Sequence, residues 1–337
     1  MSRVPALNAR AIIFPEPGRA VLDEVALPEP GAQDVLIDVE YSTISVGTER
    51  WCLKGMMSIP EQPPMAFPHA PGYQAAGVVR ETGKAVTGLK PGNRVFSRNC
   101  RAAPGWKGSW WGGHIAAHVA DQSTVLRLPD AVGTREGSAL LLAQVGYNGA
   151  MKPRIASGDV AVVIGDGLVG QYAAQVLRAR GVRVIMSGLS RHRLEIARRF
   201  SADEVFDATT GDFAAYIRER YPSGVAVAVE TASSARTVRQ AAEMLRPGGD
   251  LVMNGFYPPP ENCIDWHWLR GKELTVHCPN SRNRERLERT LDLIANGSMR
   301  VDELVTHELP VEEAPKAYAM LLDGDASFLG IVIRWRS

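Results

Sequence analysis

The chain has 337 residues, with 38 Lys and Arg against 37 Asp and Glu and a formal charge of +1 at pH 7, so no field of one sign dominates and nucleic-acid binding by bulk charge is excluded. Its 45% hydrophobic and 22% charged residues belong to a globular protein rather than a disordered or fibrous one. Single cores seldom grow past roughly 250–300 residues, so two folding units are expected.

The four cysteines, Cys52, Cys100, Cys263 and Cys278, include no CxxC pair. They supply neither a disulfide framework nor a structural metal site, and a reducing cytoplasm is the expected setting. Met1 to Arg10 has no apolar segment of signal length, and no stretch approaches the roughly 18 apolar residues that cross a bilayer, so no integral membrane segment is expected.

The first 150 residues read as β-rich. Val35 to Tyr41 has the β-branched character of a strand, Tyr73 to Val79 leads into the turn Glu81-Thr82-Gly83, and Lys90-Pro91-Gly92-Asn93 precedes Arg94-Val95-Phe96. Closely spaced strands broken by Gly or Pro point to a small barrel or sandwich.

Beyond Pro153 the grammar changes. Val160 to Ile164 is a continuous apolar strand, as expected where both faces of a parallel sheet are covered. Strand and helix then alternate: a helix from Leu168 to Ala179, strand Val182 to Met186, helix Leu194 to Phe200, strand Glu204 to Phe206 and helix Phe213 to Arg220. Strand Val225 to Glu230, helix Ala235 to Leu245, the turn Arg246-Pro247-Gly248-Gly249 and strand Leu251 to Asn254 follow. This is a doubly wound parallel sheet, so the fold class is α/β. Arg284 to Asn296 and Ala314 to Leu322 read as helices, and the last strand, Leu329 to Ile333, is placed to return to the N-terminal domain.

Between the first strand and helix lies Gly165-x-Gly167-x-x-Gly170. Gly165 permits the tight exit from the strand, Gly167 leaves room for a pyrophosphate and Gly170 lets the helix approach the sheet. The amides at Leu168, Val169 and Gly170 face the phosphates from a helix N-terminus. The second strand ends in Met186-Ser187-Gly188-Leu189-Ser190-Arg191, with no acidic residue to accept ribose hydroxyls. Gly188 makes room for a 2′-phosphate, and Ser190, Arg191 and Arg193 can donate to it, so NADP(H) is the expected cofactor.

Pro71-Gly72-Tyr73-Gln74-x-x-Gly77-x-Val79, Lys90 to Val95, the glycine turn, Arg246 to Gly249 and the closing strand near Gly330 together resemble the medium-chain dehydrogenase/reductase superfamily over nearly the whole chain. The resemblance implies a GroES-like β-rich catalytic domain over 1–150 and a Rossmann domain over 151–283. Segment 284–337, two helices and a return strand, would complete the catalytic domain, and homodimers are frequent. More loosely, Ile44 to Arg50 and Phe67 to Tyr73 resemble the branch that contains bacteriochlorophyllide a dehydrogenase, whose members oxidise a hydroxyethyl substituent to acetyl.

The superfamily's zinc-dependent members need three side-chain ligands around an open position. Here the cysteine position holds Val46, Gly-His-Glu becomes Gly72-Tyr73-Gln74, and the later ligand falls near Leu141, so no metal site is expected. His114 and His118 are four apart, but on a β-rich segment rather than on one helix face. Without zinc, hydrogen bonds must stabilise the reacting oxygen. Thr48 is the leading contact because its superfamily counterpart can bond the reacting alcohol. Tyr73 occupies a former ligand position and can offer a phenol, and Glu49 and His69 are assistants, the latter because imidazole exchanges protons near neutrality. Trp51, Trp106, Trp110, Trp111, Trp266 and Trp268 offer an apolar wall for a bulky or ring-containing small molecule. The expected activity is interconversion of a secondary alcohol and a ketone. The alternatives are an NADPH-dependent quinone or enone reductase, and a non-catalytic nucleotide-responsive protein.

Overall fold

Alternating and continuous apolar runs form three sheets in two units, one of Met1–Leu141 with Val305–Ser337 and one of Leu142–Leu304. The computed structural model describes residues 7–59, 63–257, 266–280, 282–324 and 327–336. Pro258, Pro259, Pro260 and Cys263 lie outside the described residues, as does the side chain of Trp268.

In the first unit a seven-stranded sheet is centred on Asp34–Thr43, which pairs with Ala75–Thr82, Ala117–Asp121 and Gly330–Arg334. A four-stranded sheet runs Arg19–Ala26, Asn8–Glu16, His69–Ala70, Ser109–Trp110. Asp34–Thr43 is buried along most of its length, and Val35, Ile37 and Val39 are fully buried. Gly77 is required opposite it, since a Cβ there would lie 1.9 Å from the Asp38 carbonyl oxygen.

The closing strand does return to this sheet. Val332 stands opposite Thr43 and Ile333 opposite Ser42 in antiparallel register. Its residues pack with Ile12, Phe14, Ile44, Leu53, Tyr318 and Trp335 in one core. A helix over Val46–Leu53 was not expected, because only Glu49, Cys52 and Leu53 are buried and one of the three is a carboxylate, so no apolar period marks it.

The second unit is a six-stranded parallel sheet in the order Glu204–Asp207, Arg183–Gly188, Val160–Ile164, Val225–Glu230, Leu245–Met253, Thr275–His277. Numbered along the chain this is 3-2-1-4-5-6, the Rossmann order, with the switch point between the first and fourth strands. Helices Leu168–Ala179, Arg191–Phe200, Phe213–Arg220 and Ala235–Met244 connect the strands. Thr275–His277 was not read from sequence because three residues carry too little pattern, and Leu245–Met253 takes in the residues expected to turn.

The division between units also falls elsewhere than at 150 and 284. Helix Arg284–Ala295 buries Leu287, Thr290, Leu291 and Ile294, and the chain beyond it is tied to helix Leu168–Ala179, Arg300 N donating to Gln175 Oε1 at 2.5 Å. At the other end, Asn254 Nδ2 donates to the Val145 carbonyl at 3.2 Å. Segments 142–150 and 284–304 therefore belong with the Rossmann sheet. Among the described residues no helix is long and apolar enough to cross a membrane.

Ile333 is fully buried in the return strand. Ile333→Ala is expected to cost about 2–5 kcal/mol by removing packed methyl groups and leaving a cavity. Urea unfolding checks this as a lowered midpoint, and an unchanged midpoint would contradict the placement of the strand.

Candidate active site

Helix Val46–Leu53 begins with Ser45 as its N-cap and places Glu49 one turn in, fully buried. A buried carboxylate must be satisfied by donors. Ser45 N donates to Glu49 Oε1 at 2.8 Å, while Tyr318 OH and His114 Nε2 meet Oε2 at 2.5 and 2.9 Å. His114 Nδ1 is 2.7 Å from Ser42 Oγ, which also accepts from Trp335 Nε1 at 2.8 Å. Gly72, at φ 81°, makes room for this, because a Cβ would lie 2.4 Å from the His114 ring. Glu49 is thus placed to hold Ser45 rather than to meet a substrate.

Ser45 is a candidate that sequence reasoning missed. Its Oγ accepts from Tyr73 OH, and the Thr48 side chain is a second hydrogen-bonding neighbour of the same phenol. Burial pushes the Tyr73 phenol up to about 12, with the Ser45 and Thr48 bonds opposing the shift and the Glu49 charge adding to it. Tyr73 is accordingly a neutral donor at pH 7. Its ring meets Trp111 edge-on at 5.9 Å, and Trp111 also meets His69 at 5.2 Å.

His69 sits in the short strand His69–Ala70, its ring fully buried. Nδ1 lies 3.3 Å from the Ser109 carbonyl oxygen and Nε2 has no hydrogen-bond partner among the described residues. Burial lowers its pKa to about 4, opposed by the Ser109 bond and the Glu49 charge. It is therefore neutral at pH 7 and does not exchange protons near neutrality, contrary to the sequence expectation. Trp106 and Trp110 pack on each other at 5.1 Å and donate to the Ser109 and Cys100 carbonyls; among the described tryptophan side chains, Trp111 is the one in ring contact with Tyr73 and His69. Trp266 is 70% exposed.

In the second unit the glycine turn has the required shape. Gly165 has φ 113°, and a Cβ on Gly170 would lie 2.1 Å from Gly165 O. Gly167 caps the helix with nothing within 4 Å of where its Cβ would be, which leaves the first-turn amides of Leu168, Val169 and Gly170 open space. Thr231 Oγ1 seals the turn from the fourth strand, donating to Ile164 O at 2.9 Å. These residues fit a dinucleotide. When bound, that group supplies or accepts the hydride.

The adenosine end differs from expectation at one point. The space beside Gly188 is filled, since its Cβ would be 2.3 Å from Asp166 Oδ2. Glycine is needed there to admit Asp166, not to clear room for a phosphate. Ser190 caps helix Arg191–Phe200, and Arg191, 81% exposed, pairs with Asp207 at 3.0 Å.

Residues 31–130 match the alcohol dehydrogenase GroES-like domain family, and residues 169–296 match the zinc-binding dehydrogenase family. The chain belongs to the medium-chain dehydrogenase/reductase superfamily. It is an NAD(P)(H)-dependent oxidoreductase with that superfamily's GroES-like and Rossmann domains. It is 29% identical over 335 residues to the 2-desacetyl-2-hydroxyethyl bacteriochlorophyllide A dehydrogenase of Rhodobacter capsulatus, covering 98% of this chain and 99% of that one. With the sorbitol dehydrogenase of Halalkalibacterium halodurans it shares 27% over 330 residues, 92% of this chain and 94% of the other. An Escherichia coli oxidoreductase/dehydrogenase of unknown specificity has a similar structure, with TM-score 0.87, 24% identity, and 98% and 100% of the two chains covered.

This superfamily member does not present the donor set of a catalytic zinc. Val46 and Leu141 have no ligand atom, Tyr73 OH is given to Ser45, and Gln74 Nε2 donates to the Thr43 carbonyl at 3.2 Å. His118 turns to Ser97, 2.9 Å away, while His114 serves Glu49. Among the described residues no three His, Cys, Asp or Glu side chains gather as a metal site.

His69 and His118 are both held below the usual imidazole range, at about 4 and about 3, chiefly by burial. An unfolded imidazole titrates near 6.5, so as pH falls below that value the unfolded chain takes up protons the folded rings refuse. Stability is then lost by up to about 1.4 kcal/mol per pH unit for each ring. Urea unfolding between pH 7 and 4 should show this slope, and His69→Phe should flatten it by one ring's share. An unchanged slope in that variant would contradict a neutral buried His69.

Proposed function

We propose that the chain is an NADP(H)-dependent dehydrogenase/reductase that interconverts a secondary alcohol and a ketone on a bulky, ring-containing small molecule without zinc. The observation that carries this reading is the Tyr73 phenol, held protonated beside Ser45 and Thr48 at the position of a missing zinc ligand. A neutral buried phenol can donate to a carbonyl oxygen as negative charge develops on it, the role a Lewis acid plays elsewhere. At pH 7 the phenol is in its neutral, proton-bearing form, the form that carbonyl reduction requires of a donor.

In this reading Tyr73 turns its single O–H from Ser45 Oγ to the substrate oxygen, Thr48 orients that oxygen, and Ser45, its own hydroxyl then free to donate, holds the phenol oxygen in place. Glu49 fixes Ser45 through its backbone N–H. His69 acts through the Trp111 ring, keeping one apolar wall in place. Gly165, Gly167, Leu168, Val169 and Gly170 would hold the diphosphate, and Ser190, Arg191 and Arg193 the adenosine ribose, with Gly188 admitting Asp166 beside them. Preference for NADP(H) is supported by the two arginines, Arg191 and Arg193, in the first turn of the helix that follows Arg183–Gly188. The reading includes a homodimer, as the superfamily resemblance implies. It also includes a reducing cytoplasmic setting, supported by the free thiols of Cys52, Cys100 and Cys278.

The same phenol also serves reduction of a double bond conjugated to a carbonyl, polarising that oxygen while the β-carbon takes the hydride, with water supplying the proton that the α-carbon of the resulting enolate must gain. Product analysis separates the two: an alcohol with the alkene intact supports the proposal, and a saturated ketone replaces it with enone reduction. Tyr73→Phe is expected to lower kcat/KM by about 10²–10³, with the NADPH dissociation constant, read by nicotinamide fluorescence, unchanged within about twofold. Thr48→Val should lose about tenfold by the same logic. Full turnover in Tyr73→Phe would reject the assigned donor.

A further inference from the structure

Asp166 lies between the first two glycines of the turn and is 8% exposed. Its Oδ2 accepts from the consecutive amides of Leu189 and Ser190 at 2.9 and 2.8 Å. Its Oδ1 is 3.7 Å from Arg193 Nη1. The carboxylate fills the space a side chain at position 188 would need. A charge held by two successive amides is fixed in place, and it stands where the acidic residue of NAD-selective sites would project from the second strand.

We propose that Asp166 is the specificity-determining residue of the nucleotide site. It orders Leu189 and Ser190 ahead of helix Arg191–Phe200 and offsets the Arg193 charge, so the choice between phosphorylated and unphosphorylated ribose is set from the glycine turn rather than from the strand end. A 2′-phosphate competes with Asp166 for Arg193 and is repelled by the carboxylate, whereas a ribose hydroxyl is not. The inference rests on the reading of 165–170 and 188–193 as the nucleotide site.

Asp166→Asn keeps an acceptor oxygen for Leu189 and Ser190 and removes the charge. Equilibrium binding of NADPH and NADH, measured by nicotinamide fluorescence without substrate, should show the affinity ratio moving at least fivefold toward NADPH in this variant. Arg193→Gln should move it at least fivefold toward NADH. A ratio unchanged within twofold in Asp166→Asn, or moved toward NADH, overturns the proposal. Should Asp166→Asn fail to fold, as judged by circular dichroism, Arg193→Gln decides alone by the same thresholds.

A wild-type protein that binds NADH more tightly than NADPH would defeat the NADP(H) preference, while the Asp166→Asn shift would still support the role of Asp166. Binding of neither nucleotide to the wild type would overturn both. Gly188→Asp, the obvious swap for converting such sites, is expected to weaken both nucleotides alike, because the new side chain meets Asp166.

Discussion

The Glu49 carboxylate is the constraint around which the GroES-like unit is assembled. Removed from water, it must be met by donors, and those donors come from distant parts of the chain: Ser45 beside it, His114 from a loop, and Tyr318 from the helix before the closing strand. Trp335, from the C-terminal end, joins through Ser42. Removing one partner would leave an uncompensated buried charge, which is far costlier than losing a surface contact. The network therefore specifies where the C-terminal segment docks as well as where Ser45 stands.

That placement is what connects fold to chemistry. Ser45 is anchored at its backbone N–H by Glu49 and at its hydroxyl by Tyr73, so the phenol is aimed by a residue that is itself immobilised. Burial keeps the phenol protonated, and Trp111 closes one side. In the other unit the same economy recurs, with Asp166 ordering the loop after the second strand through two amides. In both places a buried carboxylate fixes backbone N–H groups.

Much of this was legible in the residues. The apolar run Val160–Ile164, the spaced glycines and the alternation after them determine a Rossmann sheet, because a strand covered on both faces and a turn free of side chains have few other solutions. Gly165 has the positive φ of a tight exit from the strand, and Gly170 the close approach of helix to turn, that the spacing led one to expect. Gly188 was read for the wrong reason. Its neighbour Asp166 is 22 positions away in sequence, and only the parallel pairing of Val160–Ile164 with Arg183–Gly188 brings the turn under the strand end. Glu49 and His69 were singled out as reactive types, yet full burial makes the first a scaffold and the second a neutral ring.

By itself the sequence determined the domain types, the nucleotide turn and the loss of zinc ligands, since these depend on local pattern and on which atoms a side chain possesses. Only the tertiary structure decided that Ser45 joins Tyr73, that His114 serves Glu49, and that Asp166 fills the place beside Gly188. Those facts depend on which distant segments burial forces together, and on the demand that every polar group taken out of water find a partner.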